Sequence, residues 1–420
     1  MKISRRDLSS SYFSSGLQGS ALWNRYFCLV ILISSAVSFG NFFVGVAFSY
    51  WVVDMGGSNG TFGLIHGLYS FLIMLARPVT GWLADNGDRR KTFVFSCVVY
   101  VSSMILMLIS PYFGLFVALR LIQGAGTGGA STIITTSSYD YIPPSKMDKG
   151  IGYISLFGSI IHAVTPALSV GTYNTGGPAA LVIWSAAATA LGVALSWLVV
   201  LRTPKEPKKF SIKEVFNLGV LFEKRSIKPA LVMAFSLNLG LGANTFIVLY
   251  GRSLGIGNPG WYSTISAAGL LIVRLILDKV RTNEVFPRKR IYLAFATFVA
   301  NLVCLALCKN IYMFFAAAVL WSVTFGILMP SFTSMVIKAA PADRRGAATS
   351  TAGVSSDVGM ILGSTLGGFI VDGLGYPALF AVVIAPVILC CIAYRLFIDG
   401  KFKSWEEQEV SNAEKTETAR

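Results

Sequence analysis

Residues 81–91 read Gly81-Trp82-Leu83-Ala84-Asp85-Asn86-Gly87-Asp88-Arg89-Arg90-Lys91. They lie between two apolar runs, each long enough for the roughly 20 apolar residues of a bilayer-spanning helix. A glycine, an aspartate four residues on and a basic cluster are crowded into one short connection. Two hydrophobic helices joined this tightly make a hairpin whose turn holds almost all its charge on one side of a membrane.

The rest of the chain repeats that alternation. Of 420 residues, 54% are hydrophobic and 13% charged, against about 25% charged in a soluble domain. The mean hydropathy is +0.65. This is the composition of a polytopic membrane protein. The net charge of +15 does not point to nucleic acid, because the charges form short clusters between apolar runs and no basic soluble face. Cys28, Cys97, Cys304, Cys308, Cys390 and Cys391 all fall inside apolar runs, so no disulfide framework is expected. Cys304 and Cys308 share a helix face but have no His or acid nearby, so neither a metal site nor a cofactor is predicted. Residues 1–24 are Ser-rich and basic, and the apolar run after them is far longer than a signal h-region of about 7–15 residues. They read as an uncleaved tail.

Twelve spans follow: 26–52, 61–84, 92–110, 113–139, 149–173 and 179–201, then 229–250, 260–278, 290–308, 311–338, 346–371 and 377–397. The fourth and tenth are long and are candidates for a break or a tilt. The one long polar connection, 202–228, carries Pro204, Pro207 and eight Lys/Arg. The predicted organisation is a tail (1–25), a six-helix bundle (26–201), a linker (202–228), a second six-helix bundle (229–397) and a C-terminal tail (398–420). Of the 35 Lys/Arg, 30 fall on one side of this arrangement, with Arg252 and Lys309 on the other and Arg77, Arg120 and Arg274 within helices. The positive-inside rule therefore makes both tails and the linker cytoplasmic, in a multi-pass protein of the plasma (inner) membrane.

The halves repeat. Asn41 and Asn238 are 197 residues apart, as are Arg77 and Arg274; Gly128 and Gly326 are 198 apart, as are Pro143 and Pro341. Lys149-Gly150 and Arg345-Gly346 each open a Gly/Ser-rich helix after a Pro-containing loop. A parallel duplication of six helices is how the major facilitator fold is built.

The stretch 81–91 resembles the loop between the second and third helices of the major facilitator superfamily, whose pattern is roughly Gly-x-x-x-Asp-Arg/Lys-x-Gly-Arg-Arg/Lys. Asn86 stands in place of the first basic residue, and Gly87-Asp88 where the pattern has any residue and then glycine. Arg120-Leu-Ile-Gln123-Gly124-Ala-Gly126 is similar to the Arg-x-x-x-Gly-x-Gly pattern of the fourth helix, associated in proton-coupled exporters with proton transfer. Thr165-Pro166 departs from the Gly-Pro pair of the drug exporters' fifth helix. The resemblance implies an all-α fold of twelve transmembrane helices in two pseudo-symmetric six-helix bundles, nearest in motifs to twelve-helix drug–proton antiporter-like exporters. It further implies that Asp85 latches onto the N-terminus of the eleventh helix, that Gly81 permits close helix approach and that Arg89 or Arg90 is the ionic partner. Lys91 reads as a topology anchor.

Other residues stand out by their own chemistry. An arginine inside a span costs about 2.5–3.5 kcal/mol on insertion scales, so Arg120 faces a cavity or a partner; the bland alternative is that it bonds backbone carbonyls around the glycines. Asp357 is the one acid placed deep in a span. A desolvated carboxylate there can exchange protons near neutral pH, which makes it the leading proton carrier, with a structural bond to helix two or eight as the alternative. His162 lies four residues before Pro166, which frees a backbone carbonyl, and can bind solute or titrate. His66 is a second intramembrane histidine, and packing is the commoner role for either. The embedded amides Asn41, Gln123, Asn238 and Asn244 are candidates to line a solute cavity or to bond across helices. Tyr50, Trp51, Trp261 and Tyr262 read as an interfacial belt, and Asp54 and Asp140 as solvated acids at helix ends.

The leading functional expectation is a secondary transporter working by alternating access, in which two halves rock about a midplane site. No Gly-x-x-x-x-Gly-Lys-Ser/Thr loop is present, so the drive is an ion gradient, worth about 2.3 kcal/mol per charge per 100 mV. Proton-coupled export of a small organic compound leads. Proton-coupled or facilitated uptake of a nutrient or metal chelate is the runner-up, and a transport-inactive membrane sensor or scaffold is the alternative of another class. An enzyme is not expected: the chain has two His and no paired intramembrane acids. The partners implied are a small solute, protons and the lipid bilayer, with the chain working as a monomer.

Overall fold

A chain surrounded by hydrocarbon must satisfy its own backbone, and helices do so within one segment. The computed structural model describes residues 22–201, 211–215, 222–279, 288–341 and 344–399. Most of the expected N-terminal tail, segments of the linker and nearly all of the C-terminal tail lie outside the described residues.

The first half forms α1 (Arg25–Asp54), α2 (Asn59–Asn86), α3 (Arg89–Leu108) and α4 (Phe113–Tyr139), then the helical stretch Met147–Ser196. That stretch breaks at Gly177, whose φ of 62° and ψ of −160° suit only glycine. Pro178 follows and opens the next helix, the position where a missing N–H costs least. The stretch is thus two spans, α5 (147–176) and α6 (178–196). The second half opens with α7, assembled from Ile227–Met233, a π-helical turn Ala234–Asn238, Leu239–Asn244 and Ile247–Ser253. Then come α8 (Trp261–Lys279), α9 (Arg288–Ala306), α10 (Ile311–Lys338), α11 (Arg345–Leu374) and α12 (Tyr376–Phe397).

Nine helices among the described residues are long and apolar enough to cross a membrane, with α5 and α6 counted as one, and the shorter Trp261–Leu277 is also apolar. The Gly- and Thr-rich α4 completes the twelve. The long α4 and α10 run unbroken; the irregular span is α7. Side chains close the helix N-termini. Asn24, Ser58, Asp88 and Asn310 accept the N–H of Phe27, Thr61, Lys91 and Met313 at 2.9, 3.1, 3.1 and 2.9 Å, each supplying one of the four acceptors a helix start lacks.

The described residues fall into two compact units, one drawn from Met1–Asn217 with Gly251–Ala267, the other from Leu218–Tyr250 with Ala268–Arg420. In the first, α1 packs on α5 and α6. Gly40 makes this possible: a Cβ there would stand 2.6 Å from Thr189 Oγ1. Tyr100 of α3 locks the joint, its hydroxyl donating to the Gly40 carbonyl at 2.9 Å and pairing with Ser185 Oγ at 2.8 Å. Helix α4 packs between α2 and α3. Gly124 and Gly128 press on α2 at the carbonyls of Tyr69 and Ile73, while Gly126 presses on α3 at Ser96, each 2.8 Å from a virtual Cβ. Small residues let backbones meet where lipid gives no hydrophobic drive to helix pairing.

The second unit uses the same device. Gly359 and Gly363 of α11, one turn apart, lie on the α7 backbone, with Gly363 against Gly242 and Leu239. Gly326 of α10 packs on Leu270 and Val273 of α8. The duplication is visible in these contacts. Ile73–Gly128 in one unit and Leu270–Gly326 in the other pair residues at the same repeat positions, since 270 follows 73 by 197 and 326 follows 128 by 198.

Candidate functional site

The turn at 81–91 is built around Arg89. Its guanidinium is buried, with a side-chain exposure of 5%. Nε donates to the Ala84 carbonyl at 2.6 Å and Nη1 to Asp140 Oδ2. Asp85 stands 3.8 Å from Arg89 with 74% of its side chain exposed, so the ionic partner of Arg89 in this turn is Asp140. This corrects the reading of Asp140 as a solvated acid. Arg90 reaches the residues just after α6 instead: Nη2 donates to the Val199 carbonyl and the guanidinium lies 4.8 Å above the Trp197 ring. Asp88, which stands where the motif has glycine, is the N-cap of α3. Among the described residues no heavy atom lies within 4 Å of a Cβ built on Gly81, so close helix approach in this bundle falls on glycines such as Gly40, Gly124, Gly126 and Gly128 rather than on Gly81.

At the opposite end of α1, Asp54 accepts a bond from Tyr173 at 2.8 Å and pairs with Arg252 at 3.0 Å. Arg252 also lies 4.5 Å over the Tyr50 ring. Asp54 is therefore paired, not merely solvated. Tyr50, Trp51 and Tyr262 are 2%, 3% and 0% exposed, and only Trp261, at 51%, fits a belt residue. The first three are packing residues of this end. Here the segment 251–267 lies directly on α5. Asn258 Nδ2 donates to the Ala167 carbonyl at 2.9 Å and Thr264 Oγ1 to that of Ala163 at 2.6 Å. Pro166 has no N–H to give the His162 carbonyl one turn before it, and Thr264 bonds the carbonyl of the adjacent residue, Ala163. His162 is exposed, its ring 3.6 Å from that of Phe42.

Inside the first bundle sits a polar cluster. Arg120 of α4 is 1% exposed and Gln123 is fully buried. Arg120 Nη1 donates to Gln123 Oε1 at 2.5 Å. The guanidinium carbon lies over the rings of Phe48 and Tyr69, 3.9 and 4.0 Å from their centroids. Among the described residues its Nε and Nη2 have no hydrogen-bond partner, nor have Gln123 Nε2, Ser70 Oγ and both ring nitrogens of His66. The alternative in which Arg120 bonds backbone carbonyls is not what forms.

In the second unit, Asn238 is buried and donates to the Met233 carbonyl at 3.1 Å across its own π-helical turn. Such turns are frequent at functional sites. Asn41 and Asn244 are half-buried. Asp357 is half-buried on α11. It precedes Gly359 by two residues, or about 200° around a helix, which turns it away from the α7 contact. Near the start of α7, Glu223 is buried; its carboxylate takes Arg344 Nε at 2.8 Å, and its N–H donates to Thr351 Oγ1 at 3.0 Å. The sequence shows neither the Asp140–Arg89 nor the Glu223–Arg344 pairing, since the partners are far apart in the chain.

The chain matches the Major Facilitator Superfamily over residues 30–295 and 259–418. It is similar to the staphylopine export protein of Staphylococcus aureus (strain Mu50 / ATCC 700699), with 24% identity over 388 residues covering 90% of this chain and 96% of that protein. It is similar also to the inner membrane transport protein YajR of Escherichia coli (strain K12), with 23% identity over 78% of this chain and 73% of that protein. Among solved structures, a mutant of the peptide transporter POT superposes with a TM-score of 0.76 at 13% identity, covering 96% of this chain and all of that one. The nucleoside transporter NupG does so with a TM-score of 0.71 at 12% identity, over 90% of this chain and all of that one. These superpositions agree in fold with twelve helices in two related bundles, and the sequence match spans both: this chain belongs to the Major Facilitator Superfamily and is a secondary transporter of that type.

Proposed function

We propose that the protein exports a small organic compound across the plasma membrane, driven by protons, by alternating access between bundles 26–201 and 229–397 joined by the linker 202–228. Both termini lie in the cytoplasm, as the distribution of Lys/Arg demands, and the chain works as a monomer. The observation that carries the direction is the likeness to a protein named for export, which extends over 96% of that protein. Asp357 is the proton carrier: it is half-buried, and the Gly359/Gly363 seam turns it away from α7. Asp85 is the latch of the cytoplasmic side. It is free of strong pairing at its own turn, because Arg89 is taken by Asp140, and its carboxylate is available for a helix N-terminus. The contacts of 251–267 with α5 form the opposite closure and part when the outer side opens.

Cells expressing the protein and control cells are compared by mass spectrometry of cytosol and medium. Export enriches a solute in the medium of expressing cells and depletes it inside, and collapse of the pH gradient abolishes the difference. Enrichment inside supports uptake, and identical solute pools support a transport-inactive scaffold.

A further inference from the structure

We infer that Arg120, with Gln123 and His66 about it, is a binding site for a carboxylate group of the transported solute. The guanidinium is all but inaccessible, yet it forms no ion pair among the described residues and a single hydrogen bond, from Nη1 to Gln123. The two nitrogens left over, Nε and Nη2, are not scattered. They form one edge of the planar group, the fork that meets both oxygens of a carboxylate through two parallel bonds. The guanidinium carbon lies over the rings of both Phe48 and Tyr69. Stacking offsets part of the cation's desolvation but satisfies no N–H, so the bonding that remains must come from the edge.

Further buried donors of α2 and α4 are also unfilled among the described residues. Gln123 Oε1 is occupied by Arg120, which leaves the donor Nε2; Ser70 Oγ supplies an O–H, and neutral His66 one N–H and one acceptor. Ser70 and His66 are one turn apart on α2 and flank Tyr69, the ring on which Arg120 lies. Gly124, one turn after Arg120, presses on the Tyr69 carbonyl, so α4 meets α2 at this level. A donor-rich, cationic, aromatic-walled set calls for an acceptor-rich anion of planar shape.

The duplication separates this from a structural role. With the 198-residue offset that relates Gly128 to Gly326, Arg120 corresponds to Ala318 and Gln123 to Trp321. The second bundle is built with a methyl group and an indole at those positions, both buried. The architecture does not need the cation, and leaving it unpaired would carry a penalty without return.

The inference rests on the transport reading only in assigning the carboxylate to the solute. The test is thermal unfolding of the purified full chain in lipid nanodiscs at constant ionic strength, titrated with acetate and succinate against chloride and neutral succinamide. In the wild type, acetate and succinate raise the unfolding midpoint saturably, while chloride and succinamide do not. Arg120→Gln abolishes the response, and Arg120→Lys, a point charge without the fork, weakens it at least tenfold in concentration. Gln123→Glu places a carboxylate beside the guanidinium, so it raises the midpoint without ligand and removes the response; it keeps the test decisive if Arg120→Gln does not fold. A wild type indifferent to acetate overturns the site, because a two-carbon acid reaches any fork that a larger one can reach. An undiminished response in Arg120→Gln, or in Gln123→Glu, overturns it as well. A protein that exports a solute but ignores carboxylates keeps the transport reading and loses this one; a carboxylate response without transport does the reverse.

Discussion

Arg89 and Asp140 are 51 residues apart in the chain and are joined at the end of the first bundle, where the Arg89 guanidinium is 5% exposed and the Asp140 carboxylate 19%. Removing one partner of a buried pair leaves the other uncompensated and costs about 3–5 kcal/mol. Asp140→Asn therefore lowers the unfolding midpoint of the purified protein strongly. Asp85→Asn, at an exposed side chain 3.8 Å from Arg89, leaves the midpoint unchanged and alters transport alone. Parallel unfolding and transport measurements on the two variants check this contrast.

The glycines divide by what surrounds them. A methyl group on Gly363 would collide with the Leu239 backbone, and backbone cannot yield as a side chain does. Gly363→Ala separates α7 from α11 and costs about 1–3 kcal/mol, read as a lower unfolding midpoint. Gly81→Ala meets nothing within 4 Å, and alanine favours the helix by about 0.5–1 kcal/mol. It leaves the fold as stable or slightly more stable, so a transport defect in this variant reports on the motion of the turn.

Gly177 holds a backbone conformation with φ 62° and ψ −160° that a side chain opposes. Gly177→Ala strains the link between α5 and α6 by about 1–3 kcal/mol. No atom crowds the position, so the loss comes from the backbone and not from collision, and Gly177→Asn is no worse than Gly177→Val. Unfolding midpoints of the three variants rank the two causes.

Asp357→Asn keeps the shape of the side chain and removes its proton exchange. Solute exchange at equal concentrations on both sides persists, while accumulation driven by a pH gradient is lost. Proteoliposomes with and without an imposed gradient separate the two. Gradient-driven transport at the wild-type rate contradicts the assignment of the proton to Asp357.

The spans were readable because bilayer thickness fixes the length of an apolar run. The predicted 113–139 and 311–338 coincide with α4 and α10, and the break after 173 is found at Gly177, where Gly and Pro stand together. The repeat offsets, taken from spacing alone, reappear as the matched contacts Ile73–Gly128 and Leu270–Gly326. What sequence spacing does not carry is pairing across the chain. Asp54 meets Arg252 and Asp140 meets Arg89 although each acid looks like an ordinary solvated helix end. Tyr50, Trp51 and Tyr262 have the composition of a belt and the burial of a core, because an aromatic near the end of a span suits either place. The π-helical turn of α7 leaves no mark in hydropathy, since it changes bonding and not residue type. Arg120 was identified by the cost of a charge in a span; that its Nε and Nη2 meet no partner among the described residues is a fact of packing.

Ala163 and Thr264 offer the most direct test of alternation, since Thr264 Oγ1 lies 2.6 Å from the Ala163 carbonyl and the proposed cycle requires that contact to open. With the six native cysteines replaced, Ala163→Cys and Thr264→Cys are introduced together and oxidised. Release of the solute that distinguishes expressing from control cells is then followed before and after reduction. Alternating access predicts that the oxidised protein stops transport and that reduction restores it. Transport at the full rate through a completely cross-linked protein would contradict it.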